Sequence, residues 1–108
     1  MNSEQASSPQ QPYTLKVMPE ALAVWQALDG SVKQAFKRLL QKRLENPHVP
    51  GSELMAELRG CYKIKLRKQG YRLIYSVEDG ELVVLVLAID KRERSTAYKS
   101  AVKRLLQR

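Results

Sequence analysis

Cysteine and histidine are almost missing from this chain of 108 residues. Its single cysteine, Cys61, excludes an internal disulfide and suits a reducing cytosol. Together with the single histidine, His48, it cannot build a metal site, and nothing calls for a cofactor. Long apolar runs are missing too. The longest, residues 82–89, is far too short to cross a bilayer as a helix. Residues 1–12 are polar and carry no apolar stretch of the kind a signal peptide needs. No internal repeat is visible. The expectation is a soluble cytoplasmic protein with no membrane partner.

Apolar residues make up 44% of the chain, enough for the core of one modest domain. Net charge is +8, which favours nucleic acid, an acidic protein or an anionic membrane surface as partner without choosing among them. Residues 1–12, rich in Ser, Gln and Pro, read as a flexible tail, and residues 13–108 as the domain. Tyr13, Leu15 and Val17 alternate with Thr14, Lys16 and Met18 as a first strand. Pro19 opens a helix carrying Leu22, Trp25 and Leu28. After a break at Asp29-Gly30-Ser31, with Ser31 as the expected cap, a second helix carries Val32, Phe36, Leu39 and Leu40 at helical spacing. Residues 46–51 hold strong breakers, and residues 53–57 suggest a short helical turn. Strands follow at about 62–67, 71–77 and 82–89, joined by Lys68-Gln69-Gly70 and by a turn containing Asp79-Gly80. The run 82–89, apolar on both faces, should be central. Tyr98, Ala101, Val102 and Leu105 mark a last helix over about 95–107. The order β-α-α-β-β-β-α predicts an α+β fold: an antiparallel sheet with a helical hairpin and a C-terminal helix on one face, the other face open to a partner.

The basic residues are not evenly spread. Arg59, Lys63, Lys65, Arg67, Lys68 and Arg72 stand between positions 59 and 72, where no acidic residue occurs. Strand alternation puts Lys63, Lys65 and Arg67 opposite Tyr62, Ile64 and Leu66. A solvated strand face is the ordinary reading of three such cations. Several like charges on one rigid face repel, however, and usually have an anionic partner, with phosphate the leading candidate. Tyr98 by its spacing is ordinarily core, and Arg92 by its neighbours an ordinary surface charge. Trp25, Phe36 and Cys61 read as core. Tyr62, Tyr71 and Tyr75 read as core or partner-facing, and His48, in a Pro-flanked loop, as an ordinary loop residue.

The run Cys61-Tyr62-Lys63-Ile64-Lys65-Leu66-Arg67, then Gly70-Tyr71-Arg72-Leu73 and Tyr75, then Lys91-Arg92-Glu93-Arg94-Ser95 and Tyr98, closely resembles the RelE family of bacterial toxins, and similarity extends over about 13–106. The resemblance implies a small α+β endoribonuclease that cuts mRNA in the ribosomal A site. It is neutralised by a cognate antitoxin, expected to be short and acidic and to form a heterotetramer with it. Contact with operator DNA is expected only through the antitoxin. Carried over by position, Lys63, Lys65, Arg72, Arg92 and Tyr98 are the implied catalytic set. Arg59, Arg67 and Lys68 are implied RNA contacts. Lys33, Lys37 and Arg38, with Lys42, form a basic helical face able to touch ribosomal RNA, and Lys99, Lys103, Arg104 and Arg108 a further one.

RNA can be cut by its own 2′-hydroxyl, which attacks the adjacent phosphorus and leaves a 2′,3′-cyclic phosphate. The reaction needs a base, cations for the growing charge and a proton for the leaving oxygen. A free lysine titrates near ~10.4. Lys65 and Arg72 beside Lys63 disfavour its ammonium form by repulsion, which makes Lys63 the expected base. Lys65 and Arg72 then clamp the phosphate. Arg92 either stabilises the leaving oxygen or relays its proton, and Tyr98 stacks on a base or orients the scissile nucleotide. Two other readings stay open: a gyrase-inhibiting toxin of the same fold, and a catalytically idle RNA-binding or corepressor subunit.

Overall fold

A computed structural model describes residues 12–91 and 96–106. In chain order these form β1 (Thr14–Val17), α1 (Pro19–Ala27), α2 (Gly30–Glu45), a one-turn 3-10 helix (Ala56–Leu58), β2 (Cys61–Leu66), β3 (Tyr71–Glu78), β4 (Val83–Lys91) and α3 (Thr96–Leu106). Of the expected tail, residues 1–11 lie outside the described residues. Among the described residues no helix is long and apolar enough to cross a membrane.

Pro19 sits in the first turn of α1, where its missing N–H costs nothing. In α2, Val32, Phe36 and Leu40 recur every fourth residue and are buried as one stripe. The helix begins two residues earlier than its sequence suggests. Asp29 is the N-cap and its carbonyl accepts from the N–H of Val32 and Lys33; Ser31 lies inside the first turn, where its Oγ donates to Asp29 Oδ2 at 2.6 Å. The 3-10 turn likewise occupies only part of residues 53–57, because Glu53 pairs with Tyr62 as an isolated antiparallel bridge. That pairing covers the outer edge of β2, with Lys63 N–H on the Ser52 carbonyl and Leu54 N–H on the Cys61 carbonyl.

The sheet has the order β1-β4-β3-β2. The run that is apolar on both sides, β4, lies inside it as expected, with Val84, Val86, Leu87 and Ala88 almost fully buried. The sheet is mixed rather than wholly antiparallel: β1 runs parallel to β4, with Thr14 opposite Val83 and Val17 opposite Val86. Parity explains the difference. The helical connection delivers the chain into β2 in the direction of β1, and two hairpins then reverse it twice, so β4 shares that direction.

Nor do the helices share one face. The hairpin α1–α2 packs on one side against Tyr62, Ile64, Leu66, Leu73, Tyr75, Val84 and Val86. On the other side, Tyr98, Ala101, Val102 and Leu105 of α3 join Leu54 and Leu58 in covering Cys61, Ile74, Leu87 and Ala88. Two successive residues, Leu87 and Ala88, enter that same cluster because β4 bulges there: Ile74 pairs with Ala88 but Tyr75 with Val86.

Candidate active site

The β2–β3 hairpin places the cations. Gly70 takes φ +77°, a conformation that favours glycine, and its N–H closes the turn on the Leu66 carbonyl at 2.7 Å. The resulting register sets Lys65 opposite Arg72 and Lys63 opposite Ile74. Ile64 and Leu66 face the hairpin core, so Lys63, Lys65 and Arg72 stand on the α3 side, each half-buried. Helix α3 brings Tyr98 to the same place: Arg72 Cζ lies 4.4 Å from the centre of its ring, a cation–π contact. Arg72 Nε is buried there without a hydrogen-bond partner among the described residues. Asp90 follows in the same row, paired in register with Arg72.

The structure therefore brings together Lys63, Lys65, Arg72 and Tyr98. Arg92 lies outside the described residues, as does Arg108. Arg67 leaves the face on which alternation put it, because β2 ends at Leu66; Arg67 and Lys68 are exposed in the turn, and Arg59 is exposed at the end of the 3-10 helix. Lys33, Lys37 and Arg38 belong to α2, across the sheet from this site. Lys37 and Arg38 are exposed, while Lys33 Nζ donates to the Gln26 carbonyl at 3.2 Å. Lys99 and Lys103 are exposed on α3, but Arg104 turns inward and donates to the Leu87 carbonyl at 2.6 Å. Leu87 is the bulged residue, and its carbonyl, out of the ladder, needs such a donor. Arg104 is thus a structural group rather than part of a basic surface.

A second polar cluster, on the hairpin side, escaped the sequence reading. Arg43 Nη1 donates to the Tyr75 hydroxyl at 2.8 Å and to the Lys63 carbonyl at 3.3 Å; the Tyr75 hydroxyl donates to the Pro47 carbonyl at 2.7 Å. Tyr75 stacks on Tyr62, ring centres 5.7 Å apart. His48 joins Tyr62 to Asp79, with Nδ1 3.0 Å from the Tyr62 hydroxyl and Nε2 2.8 Å from Asp79 Oδ1. Tyr13 donates to the same Asp79 oxygen at 2.7 Å. These bonds from Tyr13 and His48 hold the Asp79 carboxyl below the usual carboxylate range. Burial pushes the Tyr75 and Tyr62 phenols up, and the bond to Asp79 does the same to Tyr13. His48 is thus a bonded loop residue remote from the cationic face. A Pro-flanked histidine gives no sign in sequence of the tyrosine and aspartate it will meet.

Comparison with known proteins agrees with this fold. The family described as "ParE toxin of type II toxin-antitoxin system, parDE" matches residues 15–96. The mRNA interferase toxin RelE of Escherichia coli K12 is 44% identical over 94 residues, covering 87% of this chain and 98% of that protein. A double arginine-to-alanine variant of E. coli toxin RelE, solved in the free state, superposes with a TM-score of 0.80 at 40% identity, over 87% of this chain and 98% of that one. The same variant bound to an antitoxin RelB peptide gives 0.72 at 41% identity, over 86% and 97%. With this match, these identities and the shared fold, the chain belongs to the RelE/ParE superfamily of type II toxin–antitoxin toxins.

Proposed function

We propose that this chain is a ribosome-dependent endoribonuclease that cuts mRNA in the ribosomal A site and so stops translation. The observation that carries the reading is Arg72. Its Nε is buried without a partner among the described residues, on a face shared with Lys63 and Lys65 and roofed by Tyr98. Leaving such a donor unpaired costs about 1–3 kcal/mol. A phosphate oxygen, accepting a charge-assisted bond, removes that cost when the substrate arrives. The name of the 44% identical relative, an mRNA interferase, supports the same chemistry.

In this reading Lys63 takes the proton of the 2′-hydroxyl, whose oxygen attacks the adjacent phosphorus in line. Lys65 and Arg72 hold the non-bridging oxygens as negative charge grows. The bond from phosphorus to the 5′-oxygen breaks, and that oxygen takes a proton with the help of Arg92, as stabiliser or donor. Tyr98 orients the scissile nucleotide by stacking. Arg59, Arg67 and Lys68, exposed around this face, and the α2 cations across the sheet contact RNA phosphates without reading sequence. The place of action is the cytoplasm, where ribosomes are.

The counterpart is an acidic antitoxin, drawn to a net charge of +8. A relative solved with an antitoxin peptide supports the pairing. So does an apolar cleft of about 330 Å³ between β1, α1 and α2, with Leu15 and Leu22 exposed at it. Assembly is a heterotetramer that meets operator DNA through the antitoxin.

Toeprinting on translating ribosomes tests the function. The expected result is cuts in the A site, with 2′,3′-cyclic phosphate ends. Intact mRNA with a supercoiling defect would establish a gyrase inhibitor instead, and neither effect would leave an idle binding subunit.

A further inference from the structure

A second cleft, of about 310 Å³, opens between the Ala56–Leu58 turn and α3. Leu54, Leu58 and Val102 give it apolar walls, Tyr98 an aromatic one, and Met55 and Glu57 line it from the turn. Lys99 lines it from α3. Three observations make this more than a packing gap.

The cleft is continuous with the cationic face, because Tyr98 belongs to both: it lines the cleft and carries Arg72 on its ring. The chain leading into the turn is also bonded along the strand that carries Lys63, through Lys63 N–H to the Ser52 carbonyl and Leu54 N–H to the Cys61 carbonyl. Next, Ala56 takes φ +56°, in the left-handed region that a side chain adopts at a cost of about 1–2 kcal/mol. That turn leaves Met55 78% exposed beside an exposed Glu57. Strain of this kind concentrates where a loop serves a ligand. Finally, the chemistry is particular: apolar and aromatic walls for a flat ring, a soft thioether that adapts to its edge, and one carboxylate that can only accept hydrogen bonds.

We infer that this cleft holds the base beside the scissile phosphate and that Glu57 selects bases with an amino group on the Watson–Crick edge, admitting adenine, cytosine and guanine and rejecting uracil. The inference rests on the nuclease reading above. Adenine and cytosine offer Glu57 an exocyclic amino group, and guanine an amino group beside its ring N–H. Uracil offers one ring N–H between two carbonyl oxygens, which face the carboxylate at close range and repel it. Lys99, also on the cleft wall, suits the phosphate of the same nucleotide.

Ribosomes programmed with mRNAs that differ at each nucleotide flanking the cut would be assayed in single-turnover cleavage with the full chain. At one flanking position, uracil should slow wild-type cutting about tenfold relative to the other three bases. Glu57→Gln should level that difference, since an amide both donates and accepts. Glu57→Lys should invert it, favouring uracil, which loss of fold alone does not produce. One base profile shared by wild type and both variants overturns the inference while leaving the nuclease reading intact. A wild type that cuts no mRNA overturns the nuclease reading and this subsite with it.

Discussion

On the hairpin side of the sheet, hydrogen bonds pass from Arg43 to Tyr75 to Pro47, and from Tyr13 and His48 to Asp79. On the α3 side, Arg72 keeps a buried Nε without a partner among the described residues. The same two strands supply both arrangements: Tyr62 and Tyr75 face one way, Lys63, Lys65 and Arg72 the other. The contrast separates groups whose hydrogen bonds serve the fold from a donor that the fold leaves without one among the described residues. Buried polar groups are normally paired, so the paired side is explained by stability alone. On the α3 side the exception is a single atom, Arg72 Nε, left without a partner among the described residues. The two are also joined, because Arg43 bonds the carbonyl of Lys63 from the hairpin side and so steadies the strand that carries Lys63 and Lys65.

The largest effect should come from the side proposed to bind the RNA. Lys63→Ala is expected to lower single-turnover cleavage on ribosomes by about 10²- to 10⁴-fold and to flatten its pH dependence, the share that a general base contributes. Its unfolding free energy in urea should stay within about 0.5 kcal/mol of wild type, since the half-buried lysine leaves a site already near solvent. Intact cleavage with an unchanged pH profile would remove Lys63 from the mechanism. The converse experiment is Tyr75→Phe. It strips the Arg43 donor and the Pro47 carbonyl of their shared hydroxyl in a fully buried place, at a cost of about 1–3 kcal/mol in unfolding free energy. Cleavage per folded molecule should change little. A large loss of rate with intact stability would mean that the two faces do not divide the labour as described.

Arg72→Met sharpens the comparison, because it should move the two readouts in opposite directions. Removing a buried donor without a partner, while keeping an apolar stem against Tyr98, should stabilise the fold by about 1 kcal/mol. Cleavage should fall with the loss of a phosphate clamp. A destabilised Arg72→Met with normal cleavage would show that the guanidinium is there for packing.

Much of this was legible in the sequence, for identifiable reasons. Alternation and a short Gly-containing turn suffice to put Lys63, Lys65 and Arg72 on one face, because a tight hairpin leaves little freedom of register. The helical hairpin follows from the spacing of Val32, Phe36 and Leu40 and from the breakers after Glu45. What escaped depends on contacts far apart in the chain. Nothing local tells β1 to lie beside β4, which makes the sheet mixed. Nothing marks Leu87 as a bulge, so Arg104 reads as one more surface cation until its Leu87 partner is seen. Tyr98 is the subtler case: its spacing marks a core stripe equally well, and only the position of α3 over β3 brings its ring to Arg72.

The smallest effect lies at the exposed end of the paired side. Tyr13 and His48 hold the Asp79 carboxyl below its unfolded value, so folding favours the charged form. A group depressed in this way contributes its stability in full above the ordinary aspartate value of about 3.9 and loses it as pH falls through the lower folded value. Wild type should therefore weaken in urea as the solution is taken from about pH 5 into that acid range. Asp79→Asn keeps an oxygen for Tyr13 and His48 but removes the charge. It should start less stable at neutral pH, show a shallower acid dependence, and meet the wild-type curve at its acid end. Solvent and salt screen this site, so the gap between the curves should also narrow as salt is added. Curves that stay parallel down to the acid end would mean that the Tyr13–Asp79–His48 contacts hold the loop by shape rather than by charge.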